Sequence, residues 1–176
     1  LALMTATTFI HTSDFQLGMT RWFLKGEAQG RFNDDREAAI MRLGELAEEL
    51  ATAHGVRVEP VAVDLATAEG REQLVARAAE LGHVHTLVNN AGFLRDRMLV
   101  NMSEAEWDAV TRVHLKGHFA MLRHAAGYWR DESKAGRQPD ARVVNTSSGA
   151  GLLGSVGQGN YAAANAYLDA FAHYLI

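Results

Sequence analysis

The residues best suited to chemistry lie between Asn145 and Asn165, in the stretch NTSSGAGLLGSVGQGNYAAAN. This pattern predicts a strand that ends in small hydroxyl residues, a glycine-rich loop, and a helix that begins near a tyrosine. Ser148 at the strand end and Tyr161 on the helix would then converge on one carbonyl group. A phenol that donates a proton beside a hydroxyl that binds the oxygen suits carbonyl reduction, in which a hydride arrives from elsewhere.

Strands and helices alternate along the rest of the chain and predict the scaffold for these residues. Strand composition occurs in four segments: Thr7–Thr12, Val56–Val63, His85–Val88 and Arg142–Thr146. Helical periodicity and caps predict helices between them: Asn33 to His54, Thr67 to Leu81, Ser103 to about Arg130, and Asn160 to Ile176. Ser103 and Glu106 have the spacing of a capping box, and glycines at 55 and 82 are natural helix stops.

Four strands that alternate with helices predict an α/β fold with a parallel sheet covered on both faces. With right-handed crossovers, the simplest arrangement is a Rossmann-like doubly wound sheet in the strand order 2-1-3-4. The segments SDFQLG and NNAGF would then meet at the carboxyl ends of strands one and three. We expect any ligand in that crevice, and we expect residues 1–176 to form a single, incomplete domain.

The overall composition is that of an ordinary globular protein. Hydrophobic residues make up 48% and charged residues 22%, with a net charge of −4. This charge provides no basic surface for nucleic acid, and no apolar run reaches the length that spans a membrane. The absence of cysteine excludes disulfides and thiolate metal sites. We therefore expect a soluble protein without nucleic-acid or membrane partners, and its expected location is the cytoplasm.

From about residue 45 to the end, the chain resembles the short-chain dehydrogenase/reductase family. The motifs VDLA, LVNNAG, NTSSGAG and YAAAN follow one another in the family's order, and such an ordered set is specific. Small residues in LVNNAG would let a cofactor approach the backbone closely. The resemblance implies the following site residues: Ser148 and Tyr161 as catalytic, and Asp64, Asn89, Ala91 and Gly92 in contact with a nicotinamide cofactor.

The chain resembles two branches of the family, but it lacks the lysine that each of them carries. The segment LRDRMLVNMSEAEWDAVTRVHLKGHF resembles hydroxyacyl-thioester dehydrogenases, whereas GQGNYAAANAYLDAFA resembles polyketide synthase ketoreductase domains. Dehydrogenases of the family carry, four residues after the tyrosine, a lysine whose charge lowers the pKa of the phenol; Asn165 stands there. Ketoreductase domains carry it on the preceding helix, where His114 stands. Lys116 lies about 200° around that helix and should point away.

His114 invites two interpretations. It shares an apolar stripe with Val110 and Met121, so its ring should face inward, toward Ser148 and Tyr161. An imidazole has an unperturbed pKa of about 6.5 and would relay a proton to the phenol, with Asn165 helping to organise the relay. The alternative is a packed helix residue that makes one hydrogen bond. The sequence leaves both interpretations open.

The first forty-five residues lack the glycine-rich turn of the family. That turn, of the type TGxxxGxG, binds the cofactor pyrophosphate through backbone N–H groups at a helix N-terminus. Gly18, Gly26 and Gly30 are too far apart to build one such turn. The resemblance therefore implies NADP or NAD as cofactor, and the missing turn predicts that it binds weakly.

Residues 4–45 instead resemble the start of calcineurin-like metallophosphoesterases of the DNA-repair exonuclease type. Asp14 matches an aspartate of that family's first metal-binding motif, but Gln16 stands where the family has histidine, and its later motifs are absent. We therefore predict no metal site. The two resemblances together indicate a chimera, with a phosphoesterase-like first strand and helix joined to a reductase core.

Three functions remain in order of preference. The first is a truncated, impaired short-chain oxidoreductase that reduces a 3-oxoacyl thioester or oxidises the 3-hydroxyacyl form. The second is a non-catalytic α/β domain that pairs through its exposed sheet edge, for example as a homo-oligomer. The least favoured is a fragment of a metal-dependent phosphodiesterase, which would rest on Asp14 alone.

Overall fold

The computed structural model describes the backbone of residues 9–12, and residues 27, 42, 45–49 and 51–175. The chain divides into two compact units, one made of Leu1–Asp14 with Val63–Ile176 and the other of Phe15–Ala62. The single domain with a junction near residue 45 stays a prediction. No helix in the described ranges has the length and apolar character needed to cross a membrane.

The first unit contains a parallel sheet of three short strands. They are β1 (Phe9–Thr12), β2 (Thr86–Asn89) and β3 (Arg142–Asn145), in the order β1-β2-β3. The register places Thr12 beside Asn89, and Asn89 beside Asn145. The carboxyl ends of all three strands therefore meet at one edge of the sheet, where the sequence predicts the ligand crevice.

Helices connect and follow these strands. The helical elements are α1 (Ala68–Leu81), a 3₁₀ turn (Leu99–Asn101), α2 (Glu104–Thr111), a π-helical turn (Arg112–Gly117), α3 (His118–Lys134), α4 (Gly149–Leu153) and α5 (Gly159–Tyr174). From α2 through the wider π turn to α3, the chain is helical without a break. A parallel sheet with interspersed helices is the predicted α/β class.

The caps that the sequence indicates are confirmed. The Thr67 hydroxyl accepts a hydrogen bond from the N–H of Gly70 at 3.0 Å, which starts α1. The Ser103 hydroxyl accepts from the N–H of Glu106 at 3.2 Å, and the Glu106 carboxylate accepts from the N–H of Ser103 at 2.9 Å. At the end of α1, Gly82 has φ +110°, a conformation that favours glycine. Local side-chain chemistry thus sets these helix boundaries.

The core of this unit lies where α1 and α3 pack against β2. Its buried hydrophobic residues are Ala78, Val84, Leu87, Met121, Leu122 and Trp129. Leu87 in the middle of β2 has no exposed surface. The indole N–H of Trp129 donates to the carbonyl of Val84 at 2.8 Å, so the end of α3 is anchored just before β2 begins.

The predicted strand Val56–Val63 is wrong. Residues 56–64 contain no strand, and Val58 is 41% exposed. A strand needs a neighbour that pairs with its N–H and C=O groups, and none of the described strands pairs with this segment. The order 2-1-3-4 is therefore not confirmed, although the three strands that do form lie in its 1-3-4 order.

Other differences concern single segments. The predicted glycine-rich loop after Ser148 contains the short helix α4. The helix predicted from Asn33 is described only at isolated residues and at 45–49 and 51–54, which are helical, and Gly55 follows with φ +62°. The segment SDFQLG, at residues 13–18, lies outside the described residues.

Candidate active site

The carboxyl ends of β2 and β3 are joined by side chains. The amide of Asn89 donates to the side-chain oxygen of Asn145 at 3.0 Å, and the Thr146 hydroxyl donates to that of Asn90 at 2.7 Å. Asn89 is completely buried. Its side chain therefore holds the two strand ends together.

The turn that follows β2 contacts two buried histidines, His114 and His118. The Nε2 atom of His118 lies 3.0 Å from the carbonyl oxygen of Ala91. The Nε2 atom of His114 lies 3.1 Å from both the N–H and the carbonyl oxygen of Phe93, so it accepts from one or donates to the other according to its tautomer. A Cβ on Gly92 would lie 2.5 Å from Cε1 of His114. Gly92 is therefore required because the imidazole occupies the space of a side chain.

His114 contacts the predicted catalytic tyrosine. It lies on the π turn, is 4% exposed, and packs against Tyr161 in a T-shaped arrangement with ring centroids 5.2 Å apart. The inward direction that its apolar stripe predicts is thus observed, and Lys116 on the same turn is exposed. Both interpretations of His114 remain compatible with these contacts: the ring is packed and hydrogen-bonded, and it lies beside a phenol.

Ser148 lies at the start of α4, close to the helix of Tyr161. Its hydroxyl accepts a hydrogen bond from the N–H of Ala150 at 3.3 Å and caps the helix. A Cβ on Gly151 would lie 2.8 Å from the backbone nitrogen of Ala166 in α5. The absence of a side chain at Gly151 therefore allows α4, with Ser148, to pack directly against α5, with Tyr161.

Asn165, at the position of the missing lysine, bonds within its own helix. Its side chain is 1% exposed and donates from Nδ2 to the carbonyl oxygen of Tyr161 at 2.8 Å. The hydroxyl of Ser147 lies 3.5 Å from the carbonyl oxygen of Asn165. Asn165 therefore stabilises the first turns of α5, the segment that bears the phenol.

Asp64, the predicted adenine contact, shapes the turn before α1. Its exposed carboxylate accepts a hydrogen bond from the N–H of Ala66 at 2.8 Å, and its carbonyl oxygen accepts from the Thr67 hydroxyl at 2.9 Å. A Cβ on Gly70 would lie 2.0 Å from that carbonyl oxygen. The turn is thus packed tightly onto the first turn of α1, with the carboxylate at the surface.

His118 is a site residue that the sequence reading did not single out. The described residues contain no group of three His, Cys, Asp or Glu side chains that could hold a metal ion. Burial lowers the pKa of His118 and the nearby His114 lowers it further, whereas the bond to Ala91 opposes this shift. His118 is therefore a neutral imidazole at physiological pH, fixed beneath the turn after β2. Asp14 and Gln16 lie outside the described residues.

A family model described as short chain dehydrogenase matches residues 34–176. The match begins before the predicted start near residue 45 and includes every predicted catalytic and cofactor-binding residue. The phosphoesterase resemblance of residues 4–45 finds no support in the comparisons.

Two known proteins similar to this chain are a hydroxyacyl-CoA dehydrogenase and a 3-oxoacyl-[acyl-carrier-protein] reductase. Over 138 residues the chain is 47% identical to hydroxyacyl-CoA dehydrogenase ChsB1 of Mycobacterium tuberculosis, with 76% of the chain and 44% of the relative covered. Over 139 residues it is 33% identical to 3-oxoacyl-[acyl-carrier-protein] reductase FabG of Thermotoga maritima, with 74% of the chain and 54% of the relative covered. The chain spans about half the length of these relatives.

A solved structure shares the fold. The crystal structure of a short chain dehydrogenase from Mycobacterium avium matches with a TM-score of 0.68 and 51% sequence identity, covering 73% of this chain and 45% of that chain. The parallel sheet described above is thus part of a Rossmann-like α/β fold. The family model and the solved structure agree, and the chain belongs to the short-chain dehydrogenase family.

Proposed function

We propose that the chain interconverts a 3-oxoacyl thioester and the corresponding 3-hydroxyacyl thioester with a nicotinamide cofactor. The main support is the contact between the Tyr161 phenol ring and the buried His114 ring at the carboxyl edge of the sheet. The names of the relatives, a hydroxyacyl-CoA dehydrogenase and a 3-oxoacyl reductase, support the substrate class.

Tyr161 acts as the general acid in the reducing direction. A phenol is protonated at neutral pH, so it donates a proton to the oxygen of the substrate carbonyl without help from a lysine. The hydroxyl of Ser148, at the start of α4, binds the same oxygen and positions it. In the oxidising direction Tyr161 accepts the proton of the substrate hydroxyl.

In the reducing direction, the protonated imidazole of His114 gives its proton to the Tyr161 phenolate, and solvent then returns a proton to the imidazole. Its ring lies against Tyr161, and its Nε2 atom is oriented by the backbone of Phe93. This places an imidazole, whose ring nitrogens can accept or donate a proton, at a position where ketoreductase domains of the family carry a lysine. Asn165 supports the arrangement because its side chain donates to the Tyr161 carbonyl.

The cofactor, NAD or NADP, supplies the hydride when it is bound. The family resemblance assigns the adenine contact to Asp64 and further cofactor contacts to Asn89, Ala91 and Gly92. Asn89 is completely buried with its side chain bonded to Asn145, and Ala91 is buried as well, so of these three residues Gly92, which is partly exposed, offers its backbone to a cofactor. With no glycine-rich turn in the sequence, we propose that binding is weaker than in family members that have it.

Cofactor titration followed by a turnover assay tests the function. NADPH or NADH is titrated into the purified chain by fluorescence, and oxidation is then followed at saturating cofactor with acetoacetyl-CoA. We expect saturable binding weaker than micromolar, and turnover that Tyr161→Phe abolishes but Tyr167→Phe, on the same helix, preserves. Saturable binding with equal turnover in Tyr161→Phe would refute the role of the phenol, and no binding by the folded chain would refute the function.

A non-catalytic interaction domain is the second candidate. Among the described strands, β1 and β3 each pair on one side only, and Val144 of β3 is 50% exposed. An unpaired edge with exposed apolar residues is a surface to which another copy can add a strand. Light scattering at increasing concentration tests this candidate, because a monomer at all concentrations would contradict self-association.

A further inference from the structure

Asn160, immediately before the catalytic tyrosine, is completely buried and fully hydrogen-bonded. Its Nδ2 atom donates to the carbonyl oxygens of Arg95 at 3.1 Å and Glu106 at 3.3 Å. Its Oδ1 atom accepts from the N–H of Tyr161 at 2.8 Å. One side chain thus joins the loop after β2, helix α2 and the first turn of α5.

Further bonds at the surface join the loop after β2 to the residues just before α5. The N–H of Arg97 donates to the carbonyl oxygen of Gly157 at 2.7 Å, and the amide of Gln158 lies 3.3 Å from both carboxylate oxygens of Asp96. Solvent competes for such exposed bonds, whereas a buried amide that loses its partners is left unsatisfied. Asn160 is therefore the member of this group with the greatest effect on geometry.

The bond to Tyr161 determines how α5 begins. The first N–H groups of a helix have no partner within the helix, and Gln158 at the cap position makes no side-chain capping bond. Asn160 satisfies the N–H of Tyr161 instead. Its other bond reaches Glu106 in α2, which continues directly into the π turn that bears His114. The side chain therefore connects the backbone of the phenol to the helix of the imidazole.

We propose that Asn160 is a positioning residue that fixes the Tyr161 phenol relative to the His114 ring. Its catalytic consequence rests on the proposed function. Misplacing an acid by about 1 Å lowers turnover by up to about 100-fold, so truncation of Asn160 lowers kcat by about 10–100-fold with little change in KM.

The test compares Asn160→Ala and Asn160→Asp with Gln158→Ala as matched control. Asn160→Asp keeps an acceptor for the N–H of Tyr161 but removes the donor to Arg95 and Glu106, and Gln158→Ala removes a surface bond from the same segment. In NMR spectra the nuclear Overhauser effect between the rings of His114 and Tyr161 reports their contact, and kcat and KM are measured in parallel. We expect both Asn160 variants to lose the effect and kcat, and Gln158→Ala to keep both.

The NMR readout separates this inference from the proposed function. If wild type does not turn over, the proposed function fails, while retention or loss of the ring contact in the Asn160 variants still decides the positioning role. Retention of the contact in both variants overturns it. If neither variant folds, the wild type decides: two separated, slowly exchanging side-chain amide protons on Asn160 support the role, and rapidly exchanging ones overturn it.

Discussion

Replacing Gly92 by alanine tests the packing of the turn after β2 against His114. The added Cβ would lie 2.5 Å from Cε1 of His114, whereas carbon atoms in contact are separated by about 3.5–4.0 Å. The ring must therefore move by about 1 Å. It cannot do so freely, because Nε2 is bonded to Phe93 and the ring packs against Tyr161. We expect Gly92→Ala to lower the free energy of unfolding by about 1–3 kcal/mol, the usual cost of overpacking.

Urea unfolding of the single and double variants measures this effect. Gly127→Ala is the matched control, because a Cβ there meets no atom within 4 Å and alanine in the interior of α3 should stabilise by about 0.5–1 kcal/mol. In the double variant with His114→Ala the obstruction is gone, so the coupling energy between the two positions should reach about 1 kcal/mol or more. The reasoning would be refuted if the effects of the two substitutions on the free energy of unfolding were additive. It would also be refuted if Gly92→Ala were no more destabilising than Gly127→Ala.

Two further predictions concern the histidines. His114→Ala should lower turnover at least about tenfold and change its pH profile; unchanged turnover and profile would leave His114 as a packing residue. The lowered pKa of His118 means that the unfolded chain binds a proton near pH 6.5 while the folded chain does not, so the free energy of unfolding should fall as pH drops below about 6.5. Urea midpoints at pH 7.5 and 5.5 measure this, and a slope unchanged in His118→Gln would contradict it.

Local signals predicted the parts of the fold that local chemistry determines. The Thr67 cap, the Ser103–Glu106 capping box and the glycine stop at Gly82 depend on residues within a few positions, and all are found in the structure. The segment Val56–Val63 has a strand pattern too, but a strand also needs a neighbour, which a local pattern cannot reveal. The register and order of the sheet depend on such distant pairs.

The candidate site also has features that the local sequence predicts and features that depend on tertiary packing. Residue type and spacing indicated Ser148 and Tyr161, and helical periodicity indicated that His114 faces inward. The sequence could not show that Gly92 makes room for that ring, because the two residues meet only after the sheet and helix have packed. Nor could it show that Asn160 is buried, since an asparagine beside a helix start is ordinarily a solvated cap.

Helix α3 is hydrogen-bonded to the chain on both sides of β2. The Trp129 indole holds the carbonyl of Val84 before the strand, and His118 lies against the carbonyl of Ala91 after it. Residues 84–91, which contain β2, and residues 118–129 of α3 are therefore linked at both ends, so their lengths must match. A single-residue insertion or deletion inside either interval would therefore break at least one of these two hydrogen bonds.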